Sequence, residues 1–433
     1  MEIMQEGYVV DVPYPTFVHR QAMPVWLTTI LQLKGYQTPD LKKKFRYLEL
    51  GCAMGIHLHL TASAHPNGHF VGVDFNAQQL MVAQEGIEYT QIQNVEFIHA
   101  GFQDFLTQDI EPFDFIVTHG VWSWVSEENQ HVIEQIVKKL LKPNGVFYCA
   151  YMSHPGATGL TSVQKLMFEM SRNLQGDSST KAVQSLNLVR RLGQTKMGLF
   201  EHVPQLNQAL AELAQDKPNY IAHDFLSEHW QPQHSADMIR RFGQHQLAYS
   251  AGAGIMENLD AISLSPDVRK IVQSLPLVPL QETVKDIARH TLQRQDVYIA
   301  QRQKLTEQQQ RNVYDQLKFG LLPDAPVGKK LKQDAKVGHI EDALPIFEAI
   351  LKFLQHADAT ISQLQQQLKL NISHKQLSEV LLVLVWAGYI HPMYPSQPNL
   401  EIETAMNTWM VAQELSWRCL QKFGTAIELK TAV

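Results

Sequence analysis

The sequence predicts an α/β protein: a doubly wound parallel sheet with a helical insertion and a C-terminal winged-helix-like α+β module. Three observations predict this class. Strand-like apolar runs alternate with helix-like segments in the first third of the chain, a block without convincing strands follows, and the C-terminal part shows helices that end in a strand-like tail. The 433 residues, with 45% hydrophobic content, are enough for two or three domains.

The strands of the sheet are predicted from short apolar runs, each followed by a segment with helical start and stop residues. Pro24 and Gly35 bound the first helix, and Asn76 is a predicted N-cap. The five predicted strands are residues 46–50, 69–75, 95–99, 113–118 and 145–151. A further helix–strand unit at 235–253 is predicted to complete the sheet.

The predicted domain boundaries follow from changes in this alternation. The sheet domain is predicted at 1–157 and completed by about 224–260. A helical insertion is predicted at 158–223, a helical regulatory or substrate region at 261–325 and the winged-helix-like module at 340–433. Residues 323–342 contain Pro, Gly and Lys but few apolar residues, which predicts a linker or an exposed loop.

Composition excludes several classes of protein. A net charge of −6 disfavours an electrostatic grip on nucleic acid, and no run of about 18 apolar residues predicts a membrane span. Three cysteines (Cys52, Cys149, Cys419) lack CxxC spacing, and 19 histidines lack HxH or HExxH spacing, so neither disulfides nor a metal site are predicted. Without a signal peptide at the N-terminus, the expected location is the cytoplasm.

The stretch RYLELGCAMGIH (46–57) places Gly51 and Gly55 directly after the first predicted strand. Such a turn brings backbone N–H groups to the carboxyl edge of a parallel sheet, where ligands bind. Asp74 ends the next strand, 23 positions after Gly51, and is placed to accept the hydroxyls of a ribose. The alternatives are a tight turn without a ligand and, for Asp74, a helix N-cap.

Together these residues resemble the class I S-adenosylmethionine-dependent methyltransferases, whose first motif is strand–(D/E)xGxGxG. Here the motif reads LELGCAMG, with Ala53 in place of the middle glycine. The resemblance implies a Rossmann-like fold and S-adenosyl-L-methionine as cofactor. It also implies that the glycine turn backs the methionine moiety, that Glu49 is oriented indirectly toward its amino group, that Asp74 holds the ribose and that Phe75 packs near the adenine.

Three further signatures resemble a narrower group, the bacterial methyltransferases with a methyltransferase regulatory domain. They lie in FDFIVTHGVWSWV (113–125), YMSHPG (151–156) and YIAHDFL (220–226). That group includes the rickettsial protein lysine methyltransferases that act on outer-membrane proteins. The resemblance covers roughly residues 8–300 and implies a protein substrate methylated on lysine, with an outer-membrane or envelope protein as one candidate.

The resemblance gives a set of candidate cofactor-binding residues. A tyrosine in the N-terminal arm is common in this group, and here Tyr14 lies between two prolines. After the third strand the family often has an acid followed by a hydrophobic residue, but this chain has Gly101 and Phe102 there. The full set is Tyr14, Glu49, Gly51, Cys52, Ala53, Gly55, Asp74, Phe75, Gly101, Phe102, Gln103 and His119.

Methyl transfer to an amine requires alignment, a dry site and removal of a proton, which directs attention to the residues after the fourth and fifth strands. The candidate catalytic residues are His119, Trp122 and Tyr151, with Trp122 and Trp124 as walls of a lysine channel. Alternatively, His119 bonds a neighbouring backbone group and the tryptophans anchor the insertion. His223 and Asp224 are either a lid hydrogen bond or an acid/base pair.

Two other functions remain open from the sequence. One is a methyltransferase for a small molecule; the other is a cofactor-sensing regulator with the winged helix as effector. The tetrapeptide (N/D)PP(Y/F), used on planar amides and base amines, is absent, and THGV stands in its place. The predicted recognition stretch of the winged helix contains one lysine, which disfavours DNA binding. A homodimer is left open.

Overall fold

The computed structural model describes residues 3–327 and 344–429. The chain begins with the hairpin β1 (Met4–Gln5) and β2 (Tyr8–Val9), which opens the N-terminal arm, here defined as residues 3–19. Helix α1 (Pro24–Leu33) follows. Pro24 is its first residue, a position where the missing N–H would have no intrahelical partner.

Five parallel strands alternate with four helices in the next part of the chain. They are β3 (Phe45–Leu50), α2 (Ile56–Ala64), β4 (Gly68–Asp74), α3 (Ala77–Thr90), β5 (Val95–His99), α4 (Phe102–Thr107), β6 (Phe113–Thr118), α5 (Glu127–Leu140) and β7 (Leu141–Met152). Asn76 caps α3 as predicted, since its side chain accepts hydrogen bonds from the N–H groups of Gln78 and Gln79.

A block of helices then interrupts the sheet. It contains α6 (Thr158–Ser171), α7 (Ser178–Gln194), α8 (Leu199–His202), α9 (Gln205–Leu213) and α10 (Pro218–Phe225). Val163, Leu186 and Phe225 belong to its apolar core, and Val9 of the N-terminal arm packs into the same core. The N-terminal arm is therefore tied to the helical block as well as to the sheet.

The chain then returns to the sheet. The elements are α11 (Ser235–Gly243), β8 (Leu247–Gly252), α12 (Asp260–Ser263), α13 (Pro266–Ser274), α14 (Val278–Arg289), β9 (Gln293–Ala300) and α15 (Glu307–Gln316). The seven strands have the order β5-β4-β3-β6-β7-β9-β8, and only β9 runs antiparallel to its neighbours. The predicted doubly wound α/β class is thus confirmed.

Strand β9 was missed by the sequence prediction, which gave 261–325 as helical. The reason is charge: Arg294 and Asp296 do not fit the apolar pattern of an interior strand. In the fold these charges compensate each other, because the Arg294 guanidinium pairs with Glu282, Asp286 and Asp296 at 2.7–3.0 Å. A buried ion network replaces apolar burial at this position.

The C-terminal part of the chain forms a separate small sheet and a hairpin. Its elements are β10 (Lys318–Leu321), α16 (Leu344–Leu354), β11 (Ala359–Thr360), α17 (Ile361–Gln367), α18 (His374–Trp386), β12 (Ile390–Pro392), α19 (Leu400–Ala412), β13 (Trp417–Leu420) and β14 (Thr425–Glu428). β10 lies between β11 and β12 and therefore joins this sheet, although it falls in the region predicted as helical.

The winged-helix class of the C-terminal module stays a prediction, although three helices followed by a strand are found in the expected order. Most of the predicted linker at 323–342 lies outside the described residues. Within residues 3–327 and 344–429, no helix has the length and apolarity required to cross a bilayer, and no group of His, Cys, Asp or Glu is suited to a metal ion.

Candidate active site

A cavity lies at the carboxyl ends of the parallel strands, beneath the N-terminal arm. Its walls come from the glycine turn after β3, the ends of β4 and β5, and the loop between β6 and α5. A smaller cavity adjoins it and reaches along the start of α2. The two cavities share five lining residues, which lie between them: Tyr14, His19, Gly51, Ala53 and His119.

The glycine turn has no room for larger residues. Gly51 and Gly55 have φ of 77° and 68°, in the left-handed region that favours glycine. A Cβ at Gly55 would lie 2.6 Å from the ring of Phe97. Ala53 also has positive φ, 48°, which explains why the family motif has glycine at this position.

Asp74 joins the glycine turn to the start of α3. Its Oδ2 accepts the Ala53 N–H at 2.8 Å, and its Oδ1 accepts the Asn76 N–H at 2.9 Å. Burial raises the pKa of Asp74, and these backbone hydrogen bonds oppose the rise. The cap of α3 is Asn76, so Asp74 is not needed in that role. A carboxylate has about four lone-pair positions, which leaves two for hydroxyl groups in the cavity.

Glu49 presents an acceptor without a partner. The residue is 6% exposed, lines the smaller cavity, and its Oε2 has no hydrogen-bond partner within the described part of the chain. Burial raises the pKa of Glu49 to about 8, and the charge of Asp74 adds to the rise. A cationic group in the smaller cavity would therefore stabilise the carboxylate strongly.

His57 presents the complementary donor. Its Nδ1 accepts the backbone N–H of His19 at 3.3 Å, so the ring proton is on Nε2. Nε2 is buried and has no partner among residues 3–327 and 344–429. An acceptor on Glu49 and a donor on His57 in one cavity match the ammonium and carboxylate of an amino acid. The residues present thus fit the methionine end of the implied cofactor.

The ring of His119 is positioned by a hydrogen bond with Tyr148. The His119 Nδ1 and the Tyr148 hydroxyl are 2.7 Å apart, and the ring of His19 stacks on His119 with centroids 3.4 Å apart. Burial lowers the pKa of His119 well below its usual value, and the neighbouring His19 and His57 lower it further. The sequence left open a hydrogen bond from His119 to a neighbouring backbone group. In the structure the partner is instead Tyr148, a side chain of β7.

Two predicted catalytic residues do not reach either cavity. Trp122 is 0% exposed and packs on Phe242, with the Arg241 guanidinium 4.9 Å from its ring centre. The Tyr151 hydroxyl donates to Asp296 at 2.6 Å, in the ion network of β9. The predicted placement of Trp122 and Tyr151 at the substrate is therefore corrected, because both side chains lie in the core.

Trp124 is the tryptophan that lines the larger cavity. The short 3-10 turn Trp122–Trp124 turns the two rings to different sides. Trp124 Nε1 donates to the backbone oxygen of Asp224 at 3.2 Å and so anchors the helical block. The prediction that Gln103 binds the cofactor is also corrected. Its side chain is exposed on α4 and does not line the larger cavity, whereas Gly101 and Phe102 do.

The remaining predicted cofactor residues are brought together at the two cavities. Phe75 and Gly101 line the larger one, and Cys52 and Gly55 line the smaller one. His223 is buried, and its ring bonds the backbone oxygen of Val12 at 2.9 Å. This contact favours the structural hydrogen bond over the acid/base pair, and the role of His223 stays a prediction.

Several lining residues were not predicted, chiefly Glu6, Tyr8 and His19 of the N-terminal arm. Glu6 Oε2 accepts from Asn129 Nδ2 at 3.0 Å, and its Oε1 is 3.8 Å from the position of a Cβ at Gly101. The N-terminal arm therefore brings a carboxylate to the place after β5 where the sequence lacks one. Only the proximity of the N-terminal arm in the fold shows this, since no local motif marks Glu6.

Comparisons with known proteins relate the chain to methyltransferases. Residues 41–189 match the family model of a methyltransferase domain, and residues 217–300 match one described as "predicted methyltransferase regulatory domain". An uncharacterized Synechocystis sp. protein is 28% identical over 389 residues, 89% of this chain and 76% of its own length. One from Rickettsia prowazekii is 30% identical over 219 residues, 50% of this chain and 86% of its own length.

A solved structure shares the whole architecture. PKMT2 from Rickettsia typhi, in complex with AdoHcy, superposes with a TM-score of 0.72 at 19% identity. The match covers 96% of this chain and 86% of that chain. The similarity is one of fold and spans nearly all of the chain.

Proposed function

The chain belongs to the S-adenosylmethionine-dependent methyltransferases that carry a methyltransferase regulatory domain, and we propose that it methylates a lysine amine of a protein substrate. One observation carries the site assignment: the glycine turn and Asp74 meet through the 2.8 Å hydrogen bond from Ala53, beside a cavity that ends at the unpartnered oxygen of Glu49. This arrangement is complementary to an adenosyl amino acid.

The proposed cofactor contacts divide along the two cavities. Glu49 holds the amino group and His57 Nε2–H the carboxylate in the smaller cavity. The free lone pairs of Asp74 accept the ribose hydroxyls. Phe75 and Phe102 line the adenine end, where Glu6 accepts the exocyclic amine in place of the missing acid after β5.

S-adenosylmethionine, when bound, would supply an electrophilic methyl group to the lone pair of a neutral amine, and the electrons of the broken C–S bond would stay on sulfur. The lysine ammonium would first release a proton to solvent, because only the neutral amine has a lone pair. The residues of the chain align the acceptor and exclude water. His119 and His19 stand where the two cavities meet, and both are neutral because burial lowers their pKa values, that of His19 to about 4. They contribute hydrogen-bonding groups without positive charge beside the sulfonium.

A protein lysine is supported by the HGVWSWV, HPG and HDFL signatures, which resemble those of the rickettsial protein lysine methyltransferases. The fold shared with PKMT2 along 96% of the chain is consistent with the same arrangement of insertion and C-terminal module around the site. A small-molecule acceptor and a cofactor-sensing regulator are the other outcomes of the test.

The test is incubation of the full chain with methyl-labelled S-adenosylmethionine and separate envelope and soluble lysate fractions. Label in a protein band that maps to lysine supports the proposal, and Asp74→Ala should abolish it. Label confined to small molecules would overturn the protein substrate. Cofactor binding without any transfer, in all fractions, would favour the regulator.

A further inference from the structure

The N-terminal arm and α10 bring three aromatic rings together beside the cavities. The rings of Tyr14 and Phe17 are 5.8 Å apart, and those of Phe17 and Tyr220 are 5.7 Å apart, both edge to face. Phe17 is 41% exposed although its neighbours are partly buried. An exposed ring held by two tyrosines is a surface that can receive an alkyl chain and a cation.

Asp224 lies behind these rings, one helical turn after Tyr220. Tyr220 and Asp224 are four positions apart in α10 and therefore lie on the same face of that helix. Burial raises the pKa values of Tyr8, Tyr14 and Tyr220, and the charge of Asp224 adds to each rise. Trp124, a wall of the larger cavity, donates to its backbone oxygen and fixes the position of α10. Burial raises the pKa of Asp224 to about 7, and a hydrogen bond from Tyr220 opposes the rise.

Asp224 has no cation of its own. Its side chain is partly exposed, and within the described residues no Lys, Arg or His nitrogen lies within 4.0 Å of it. The deeply buried carboxylates of β9 and α14 differ, since Asp296, Asp286 and Glu282 all pair with Arg294. Placing a carboxylate among aromatic rings without a counter-ion costs free energy, and a cation that binds beside the carboxylate would offset this cost.

Tyr14 connects this group to the site of methyl transfer. It lines both cavities, and its hydroxyl is 3.7 Å from the position of a Cβ at Gly120, the residue after His119. Tyr14 therefore links the three rings to the loop after β6 at the junction of the cavities.

We propose that Tyr14, Phe17, Tyr220 and Asp224 form a receptor for a primary alkylammonium group, the chemistry of a lysine side chain. The rings contact the alkyl stem and the face of the cation, and Asp224 supplies the opposite charge. The receptor rests on the proposed function, because it assigns the acceptor subsite of the same reaction.

The test measures binding rather than turnover, so that it stands apart from the labelling experiment. n-Butylammonium is titrated into the full chain saturated with AdoHcy, with n-butanol as the neutral probe of similar size, and binding is followed by NMR. The wild type should bind the cation at least tenfold more tightly than the alcohol, and Asp224→Asn should remove that preference. Equal affinity for the two probes in the wild type, or an unchanged preference in Asp224→Asn, would overturn the receptor.

Two pairs of variants keep the result interpretable. Phe17→Leu removes a ring at an exposed position and should weaken n-butylammonium severalfold, whereas Tyr89→Leu, at an exposed aromatic residue of α3, should not. Asp237→Asn, an exposed acid of α11, is the control for charge. AdoHcy affinity should be unchanged in Asp224→Asn, Asp237→Asn and Tyr89→Leu. Phe17 also lines the smaller cavity, so n-butylammonium is titrated into Phe17→Leu only after AdoHcy saturation of that variant has been verified. Loss of n-butylammonium binding in Asp237→Asn or Tyr89→Leu as well would show a nonspecific effect and contradict the proposal.

Discussion

The His119 Nδ1 atom lies 2.7 Å from the Tyr148 hydroxyl, and this is the one hydrogen bond of that phenol among the described residues. Tyr148 is fully buried, so its proton must be donated to His119 or left without an acceptor, which costs about 1–3 kcal/mol. Because Nδ1 of His119 accepts this hydrogen bond, the single proton of the neutral imidazole is on Nε2. His119 therefore presents a donor, rather than a base, to the cavities.

The first prediction follows from that tautomer. Nitrogen NMR of histidine-labelled protein should show His119 protonated on Nε2, and Tyr148→Phe should release it into a mixture of tautomers. The rate of methyl transfer should fall about tenfold, the equivalent of one hydrogen bond of about 1.4 kcal/mol. Tyr298→Phe, which removes a hydroxyl bonded to Asp296, is the control. A protonated Nδ1 on His119 in the wild type would refute the assignment.

The second prediction concerns Asp74. Asp74→Ala removes the acceptor of two backbone N–H groups and the proposed acceptor of the ribose hydroxyls. The free energy of unfolding should fall by about 1–3 kcal/mol, while AdoHcy affinity should fall more than a hundredfold in calorimetry. Asp114→Ala, at an acid on the opposite edge of the sheet that pairs with Lys142, should lower stability without changing AdoHcy affinity. Similar AdoHcy affinities in both variants would contradict the site.

The third prediction separates Glu6 from the general acidity of the surface. If Glu6 accepts from the adenine amine, Glu6→Gln should weaken AdoHcy about three- to tenfold. It should not weaken S-inosylhomocysteine, whose oxygen at that position cannot donate. Asp104→Asn, at an exposed acid in the first turn of α4, should change neither affinity. Equal weakening of both ligands by Glu6→Gln would show a role in holding the N-terminal arm instead.

The sequence is informative where function constrains consecutive residues. Gly51, Gly55 and Asp74 could be predicted because a left-handed turn and the end of the next strand leave local patterns. Glu6 and His19 could not, because they reach the cavity through the path of the N-terminal arm. Trp122 and Trp124 differ by two positions, and only the 3-10 turn decides which ring meets the cavity.

The missed strand β9 has a different cause. Its first four residues, QRQD, include the charged Arg294 and Asp296. An interior strand excludes such charges unless another segment supplies residues of opposite charge. Those partners, Glu282 and Asp286, come from α14. Compensation between distant segments is invisible to a pattern read along one segment.

The fourth prediction uses the raised pKa of Glu49. With a folded-state pKa of about 8, against 4.5 in the unfolded chain, the folded protein binds more protons between these values. The stability that Glu49 contributes is complete below pH 4.5 and is lost as pH rises toward 8, at up to about 1.4 kcal/mol per pH unit. Urea unfolding should thus show that Glu49→Gln gains stability over the wild type as pH rises. Saturating AdoHcy should remove this trend if its amino group pairs with the carboxylate.

The fifth prediction has the opposite sign and concerns His59. The ring is fully buried in α2, its Nε2 bonds the backbone oxygen of Ala83 at 2.7 Å, and burial lowers its pKa to about 4. Because the unfolded histidine titrates near 6.5, the unfolded chain binds the additional proton between pH 6.5 and 4. The contribution of His59 is complete above pH 6.5 and is lost on acidification, at up to about 1.4 kcal/mol per pH unit.

His59→Gln tests this, because the amide can still donate to Ala83 but cannot titrate. In urea unfolding between pH 7 and 5, the stability of the wild type relative to His59→Gln should decrease as the pH falls. His131→Gln, at an exposed histidine of α5, is the matched control for the replacement itself. A pH-independent difference for His59→Gln would mean that the folded and unfolded chains bind this proton equally. That result would contradict the lowered pKa of a ring buried against Phe97 and Trp409.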